Sequence, residues 1–152
     1  MLEYVLPHES VARLYFGHFF PEGNVLDGKG CPKSVGEGRG GGCMRIDGAH
    51  VLVTGGTGSI GSEVVRQLMD RNPKHITIFS RDDSKHFYFQ QELVGQNDIT
   101  FIIGDVRDRE SLARAFQTDV DIVIHAAALK HVLICEQNPI EAVKTNILGT
   151  QN

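Results

Sequence analysis

Residues 50–61 read His-Val-Leu-Val-Thr-Gly-Gly-Thr-Gly-Ser-Ile-Gly, and they limit what the rest of the chain can fold into. Val51, Leu52 and Val53 form the short apolar run that a strand buried on both faces needs. Glycines follow at Gly55, Gly56, Gly58 and Gly61, and a helical pattern opens at Ser59. A strand, a tight turn and a helix start bring backbone amides to the positive end of a helix dipole, worth about half a unit charge. A diphosphate fits there, because a Cβ at the glycine positions would block its approach. Gly56-x-Gly58-x-x-Gly61 alone is a common spacing, but its place between a strand and a helix makes it a dinucleotide signal. The alternative is a purely structural glycine turn.

Downstream, strand and helix signals alternate. Strands are expected at 51–54, 76–79, 99–103 and 121–125, with helices at 59–69, 84–94 and 109–116. Ile60, Val64 and Leu68 mark one apolar face; Leu112, Ala115 and Phe116 mark another. Asp108 is placed to cap the third helix. Asn138, Pro139 and Glu141 read as a capping box opening a last helix through Ile140, Val143 and Ile147. The expected fold is α/β, a Rossmann-like doubly wound parallel sheet in the order three, two, one, four, truncated after its fourth strand and the following helix. Ligands of such sheets bind over the carboxyl ends of the strands.

Before this region the composition differs. Residues 1–21 are expected to be an extension with one amphipathic stretch at Val11, Leu14, Tyr15 and Phe19. Residues 22–45 hold eight glycines and read as a flexible linker, leaving 46–152 as the folded domain. Over 152 residues the formal charge is −4 with mixed signs, which argues against a nucleic-acid surface. Cys31, Cys43 and Cys135 make no metal or disulfide pattern, and no histidines show ligand spacing, so no metal is expected. The apolar patch at 14–20 is too short for a bilayer and contains His18, and no signal peptide is visible. The expected location is cytoplasmic, with no membrane partner.

The four strand ends carry the chemistry. The first is the glycine loop. After the second strand come Ser80, Arg81, Asp82, Asp83, Ser84 and Lys85. The planar fork of Arg81 matches a phosphate, and Lys85 lies one helical turn on, so the pair suits the 2′-phosphate of NADP. The alternative is a solvated charged face balanced by Asp82 and Asp83, and this acidic pair could reverse the preference toward NAD. After the third strand, Asp105 can accept from an adenine amine, with Val106 near the ring. After the fourth, Ala126, Ala127 and Ala128 allow close approach toward the nicotinamide half. Lys130 and His131 follow where a substrate would arrive.

Together Thr-Gly-Gly-Thr-Gly-Ser-Ile-Gly, Ser-Arg-Asp, Gly-Asp-Val-Arg-Asp, His-Ala-Ala-Ala-Leu-Lys-His and Lys-Thr-Asn-Ile-Leu-Gly-Thr resemble the extended short-chain dehydrogenase/reductases. They are similar to the NADP-dependent nucleotide-sugar 4,6-dehydratases and epimerases of capsule and flagellar-glycan synthesis. The inverting UDP-N-acetylglucosamine 4,6-dehydratase is the type. The resemblance covers residues 46–152. It implies that Gly55, Thr57, Gly58, Ser59, Ile60 and Gly61 line the pyrophosphate, and that Ser80, Arg81 and Lys85 meet the 2′-phosphate. It implies further that Asp105 and Val106 meet adenine, and that Ala126, Ala127, Ala128 and Lys130 border ribose and nicotinamide. Thr145 and Asn146 would back the site. A UDP-sugar substrate and a homo-oligomer are implied for the full-length enzymes. Leu133 stands where the family has proline, which leaves the path of that loop open.

The family's tyrosine, four residues before a lysine, is absent here: Tyr4, Tyr15 and Tyr88 have no such partner. The expected place lies beyond Asn152, so no catalytic residue is expected in this chain and no turnover from it. Two rival readings remain. One is a non-catalytic NADP-binding module, a redox sensor or scaffold; the other is an NAD-linked sugar epimerase.

Overall fold

The computed structural model describes residues 46–152, except 97. The expected extension at 1–21 and the linker at 22–45 lie outside the described residues.

Four parallel strands form one sheet: β1 (His50–Thr54), β2 (His75–Ser80), β3 (Ile99–Ile103) and β4 (Ile122–His125), in the order β3-β2-β1-β4. That is the expected order. Every residue of β1 is buried, as its apolar run required. Val53 is paired with Ile78 on one side and Ile124 on the other, which makes β1 the centre of the sheet.

Helices α1 (Ser59–Met69), α2 (Asp83–Glu92) and α3 (Arg109–Ala115) cover the two faces. Neighbouring side chains on a strand point to opposite faces. On β3, Phe101 meets the rings of His86 and Phe89 on α2, while Ile102 packs with Leu112 and Ala115 of α3. So α2 and α3 lie on opposite faces. Arg66 of α1 sits 5.3 Å above the Phe89 ring and donates to Glu92, which places α1 beside α2. Leu52 and Phe79 anchor the α3 face together with Val106. Full burial of a side chain such as Phe79 contributes about 1.5–3 kcal/mol.

The caps explain where the helices start. Asp82 accepts from the Lys85 amide at 3.0 Å, so α2 opens one residue earlier than the spacing predicts. Asp108 accepts from the Glu110 amide at 3.0 Å, as expected. The Asp121 carboxylate accepts from the His50 amide at 2.8 Å and precedes β4 rather than opening it.

Three expectations need correction. Ile60 is 50% exposed; the buried face of α1 is Gly61, Val64, Val65 and Leu68. A four-residue spacing drifts round the axis of a 3.6-residue helix, which carries Ile60 off the face that Val64 and Leu68 bury. Phe116 is likewise exposed, where α3 has ended. The capping box at Asn138 does not form. A helix α4 (Val132–Gln137), not foreseen, runs into Asn138, whose amide donates to the Ile134 carbonyl instead. Glu141 is held by Arg107 and Lys144. Beyond α5 (Pro139–Val143), a π-helical turn (Lys144–Leu148) and α6 (Gly149–Gln151) follow.

Candidate functional site

The glycine loop owes its shape first to its own packing. Gly55 has φ +68°, and a Cβ there would lie 2.7 Å from the backbone of Ala126 and Ala127 at the end of β4. A Cβ on Gly61 would overlap the Gly55 carbonyl oxygen. At these two positions glycine answers to the chain itself, and not only to a ligand's approach. Gly58 is the N-cap of α1 and offers no side-chain cap, so the first-turn amides of that helix have no side-chain partner there.

Over the carboxyl ends of the strands lies a cleft of about 240 Å³. The first strand end contributes Gly55, Thr57 and Gly58; the second contributes Ser80, Arg81 and Lys85. Asp105 and Val106 come from the third, Ala126, Ala127 and Ala128 from the fourth, and Thr145 from the π-helical turn. These expected residues are thus brought together. Ser59, Ile60 and Gly61 lie along the start of α1 and do not line the cleft. Lys130 and His131 are exposed beyond it.

Phe79 and Gly104 also line the cleft and escaped the sequence reading; Asp82, weighed there as the counter-charge that could turn the preference toward NAD, lines it too. Gly104 carried a signal: it follows β3 as Gly55 follows β1, and a Cβ on it would lie 2.5 Å from the Phe79 ring. Asn146, expected behind the site, has a more definite part. Its side chain bonds both the amide and the carbonyl of Leu129, at 2.8 and 2.9 Å, and so clamps the loop after β4.

Charge is concentrated at the ends of β2 and β3. Arg81 lies 3.6 Å from Asp105, and Lys85 3.5 Å from Asp82. Arg107 binds Asp105 through its Nε and Nη2 and reaches Glu141 with Nη1. The Arg107 hydrogen bonds hold the Asp105 carboxyl below the usual carboxylate range. Asp105 therefore presents acceptors only. Deeper in, Thr57 Oγ1 lies 2.7 Å from Ser80 Oγ. The Thr145 hydroxyl is buried with no hydrogen-bond partner, in the lining of the cleft. A buried polar atom left unpaired is costly unless a ligand or water completes it.

The sheet order, the glycine loop and the cleft at the switch between β1 and β4 define a Rossmann-like domain of the short-chain dehydrogenase/reductase kind. The profile of the polysaccharide biosynthesis protein family matches residues 51–152, and the chain belongs to that family. An uncharacterized membrane protein of Methanocaldococcus jannaschii is 54% identical over 102 residues, 67% of this chain and 30% of that protein. The inverting UDP-N-acetylglucosamine 4,6-dehydratase of Campylobacter jejuni is 48% identical over 108 residues, 70% of this chain and 32% of the enzyme. Among solved structures, the dTDP-glucose 4,6-dehydratase DesIV of Streptomyces venezuelae, with NAD bound, superposes with a TM-score of 0.58 at 30% identity. That match covers 67% of this chain and 33% of DesIV. The chain thus spans about a third of the length of the relatives it matches. Among the described residues no helix is long and apolar enough to cross a membrane.

Proposed function

We propose that the cleft binds NADP and that residues 46–152 are the cofactor-binding part of a nucleotide-sugar 4,6-dehydratase or epimerase in polysaccharide synthesis. One observation carries the reading: Arg81 and Lys85 line the same cleft as the uncapped glycine loop. The loop amides suit a pyrophosphate, and the two cations suit a further phosphate on the adenosine ribose. Asp105 would accept from the adenine amine beside Val106, and the unpaired Thr145 hydroxyl would gain a partner. Ala126, Ala127 and Ala128 would let the nicotinamide half lie close to the backbone. Bound, the dinucleotide would supply a hydride acceptor; the residues of this chain bind it and orient it. Lys130 and His131, exposed beyond the alanine run, would meet a UDP-sugar.

The chain holds no tyrosine four residues before a lysine, so it is expected to bind cofactor without turning over a UDP-sugar. Titration of the protein with NADP and with NAD tests the reading. NADP is expected to bind about ten-fold tighter or more, and Arg81→Ala to abolish the difference. Equal affinities, unchanged in the variant, would overturn it. Asp82 lines the cleft beside Lys85 and favours the second reading, in which NAD is preferred.

A further inference from the structure

His86 lies on α2, 4% exposed, behind the cleft rather than in its lining. Its Nε2 is 3.0 Å from the Ser80 carbonyl oxygen and 2.8 Å from Ser80 Oγ. Ser80 Oγ in turn is 2.7 Å from Thr57 Oγ1. Its Nδ1 is buried and has no hydrogen-bond partner, and the ring stands edge-on to Phe101 at 5.7 Å.

These contacts set the direction of the hydrogen bonds. A carbonyl oxygen only accepts, so Nε2 carries the hydrogen, shared between the carbonyl and Oγ of Ser80. The Ser80 hydroxyl is then left to donate to Thr57 Oγ1. The Thr57 hydrogen is left for an acceptor in the cleft. The chain from His86 through Ser80 to Thr57 therefore ends as a donor. A phosphate ester has acceptor oxygens to meet it, whereas a ribose 2′-hydroxyl also brings a donor of its own.

A satisfied core histidine would be the plain explanation, but His86 is not satisfied. Phenylalanine would fill the same space against Phe101 without stranding Nδ1. What the imidazole adds over an apolar ring is the Nε2–H on Ser80.

We propose that His86 is a positioning residue for recognition of the adenosine 2′-phosphate, acting through the Ser80 and Thr57 hydroxyls it orients. The proposal rests on the reading of the cleft as an NADP site. Its test is titration of the full chain and of His86→Phe, His86→Gln and Ser80→Ala with NADP and NAD. His86→Phe and Ser80→Ala should each weaken NADP by about ten-fold and change NAD by less than about two-fold. Their double variant should lose no more than either alone. His86→Gln, whose amide can still donate to Ser80, should retain most of the NADP affinity. Unchanged NADP binding in His86→Phe would overturn the proposal. So would equal loss of both dinucleotides, or additive losses in the double variant. If His86→Phe does not fold, failure of His86→Gln to keep NADP preference would overturn it. A native chain without NADP preference would overturn the cofactor reading itself, and the proposal with it.

Discussion

The Arg81 guanidinium lies 3.6 Å from the Asp105 carboxylate, joining the ends of two neighbouring strands, β2 and β3, across the candidate cofactor cleft. Half of the Arg81 side chain is exposed, so the pair stabilises the fold by at most about 1 kcal/mol. Its greater effect is on the cleft. A cation proposed for a phosphate and a carboxylate proposed for adenine restrain each other. Asp105 is tied in addition to Arg107, which continues to Glu141 on α5.

Asp105→Asn should expose this coupling through pH. Arg107 lowers the Asp105 pKa in the folded state. The stabilisation is then complete above the unfolded carboxylate value of about 3.9 and is lost as pH falls through the lower folded value. The variant is expected to be about 1 kcal/mol less stable at neutral pH, with the difference shrinking as pH falls through the lowered folded-state value. Thermal melts over an acid series would show two curves that converge; parallel curves would mean lost packing instead of lost charge.

Gly61 and Gly58 should separate the two demands on the glycine loop. Gly61→Ala drives a methyl into the Gly55 carbonyl and is expected to cost about 3 kcal/mol. Gly58 has φ −76°, and a Cβ there would lie 3.2 Å from the same carbonyl, a far milder contact. Gly58→Ala should cost about 1 kcal/mol while weakening dinucleotide binding about ten-fold. Denaturant melts with parallel titrations would check both.

His125 should make stability fall on mild acidification. Its Nδ1 is 2.7 Å from Thr54 Oγ1, and burial lowers its pKa. The unfolded chain therefore takes up the proton more readily. The neutral ring's contribution is complete above about pH 6.5 and is lost as pH falls from there through the lower folded value. Burial also lowers the His75 pKa, so His125→Asn should reduce the loss of Tm between about pH 7 and pH 5.5 without abolishing it. An unchanged slope would remove His125 as a contributor.

Apolar surface on the last third of the chain should drive self-association. Val132, Leu133, Ile140, Val143 and Ile147 are exposed, and Val123 is exposed on β4, which among the described residues pairs only with β1. The Tm of the isolated chain is expected to rise with its concentration, with oligomers in sedimentation. A sharp monomeric melt independent of concentration would contradict this.

How much could be read in advance follows the range of the interactions. Apolar runs alternating with helical patterns placed all four strands: Val51–Leu52–Val53 marks a strand buried on both faces, and Ile122–Val123–Ile124 carries the same local mark although Val123 is exposed. Asp108 was legible as a cap because the Glu110 amide that donates to it is two residues away. Asn138 and Glu141 looked like a cap for the same local reason. No box forms, because the Asn138 side-chain amide turns back to the Ile134 carbonyl and Arg107, 34 residues earlier in the chain, takes the Glu141 carboxylate.

The sequence by itself determined the strand–loop–helix unit at 50–61, the parallel order of the sheet and the strand ends that meet at one cleft. Glycine spacing and apolar periodicity are local, and right-handed crossovers do the rest. Only the tertiary structure decided that Gly55 and Gly61 answer to contacts within the chain. It also decided that Arg81 is shared with Asp105, that His86 stands behind Ser80, and that Lys130 and His131 lie outside the cleft. Each depends on which distant residues the folded sheet brings within hydrogen-bonding or van der Waals reach, and no spacing along the chain encodes that distance.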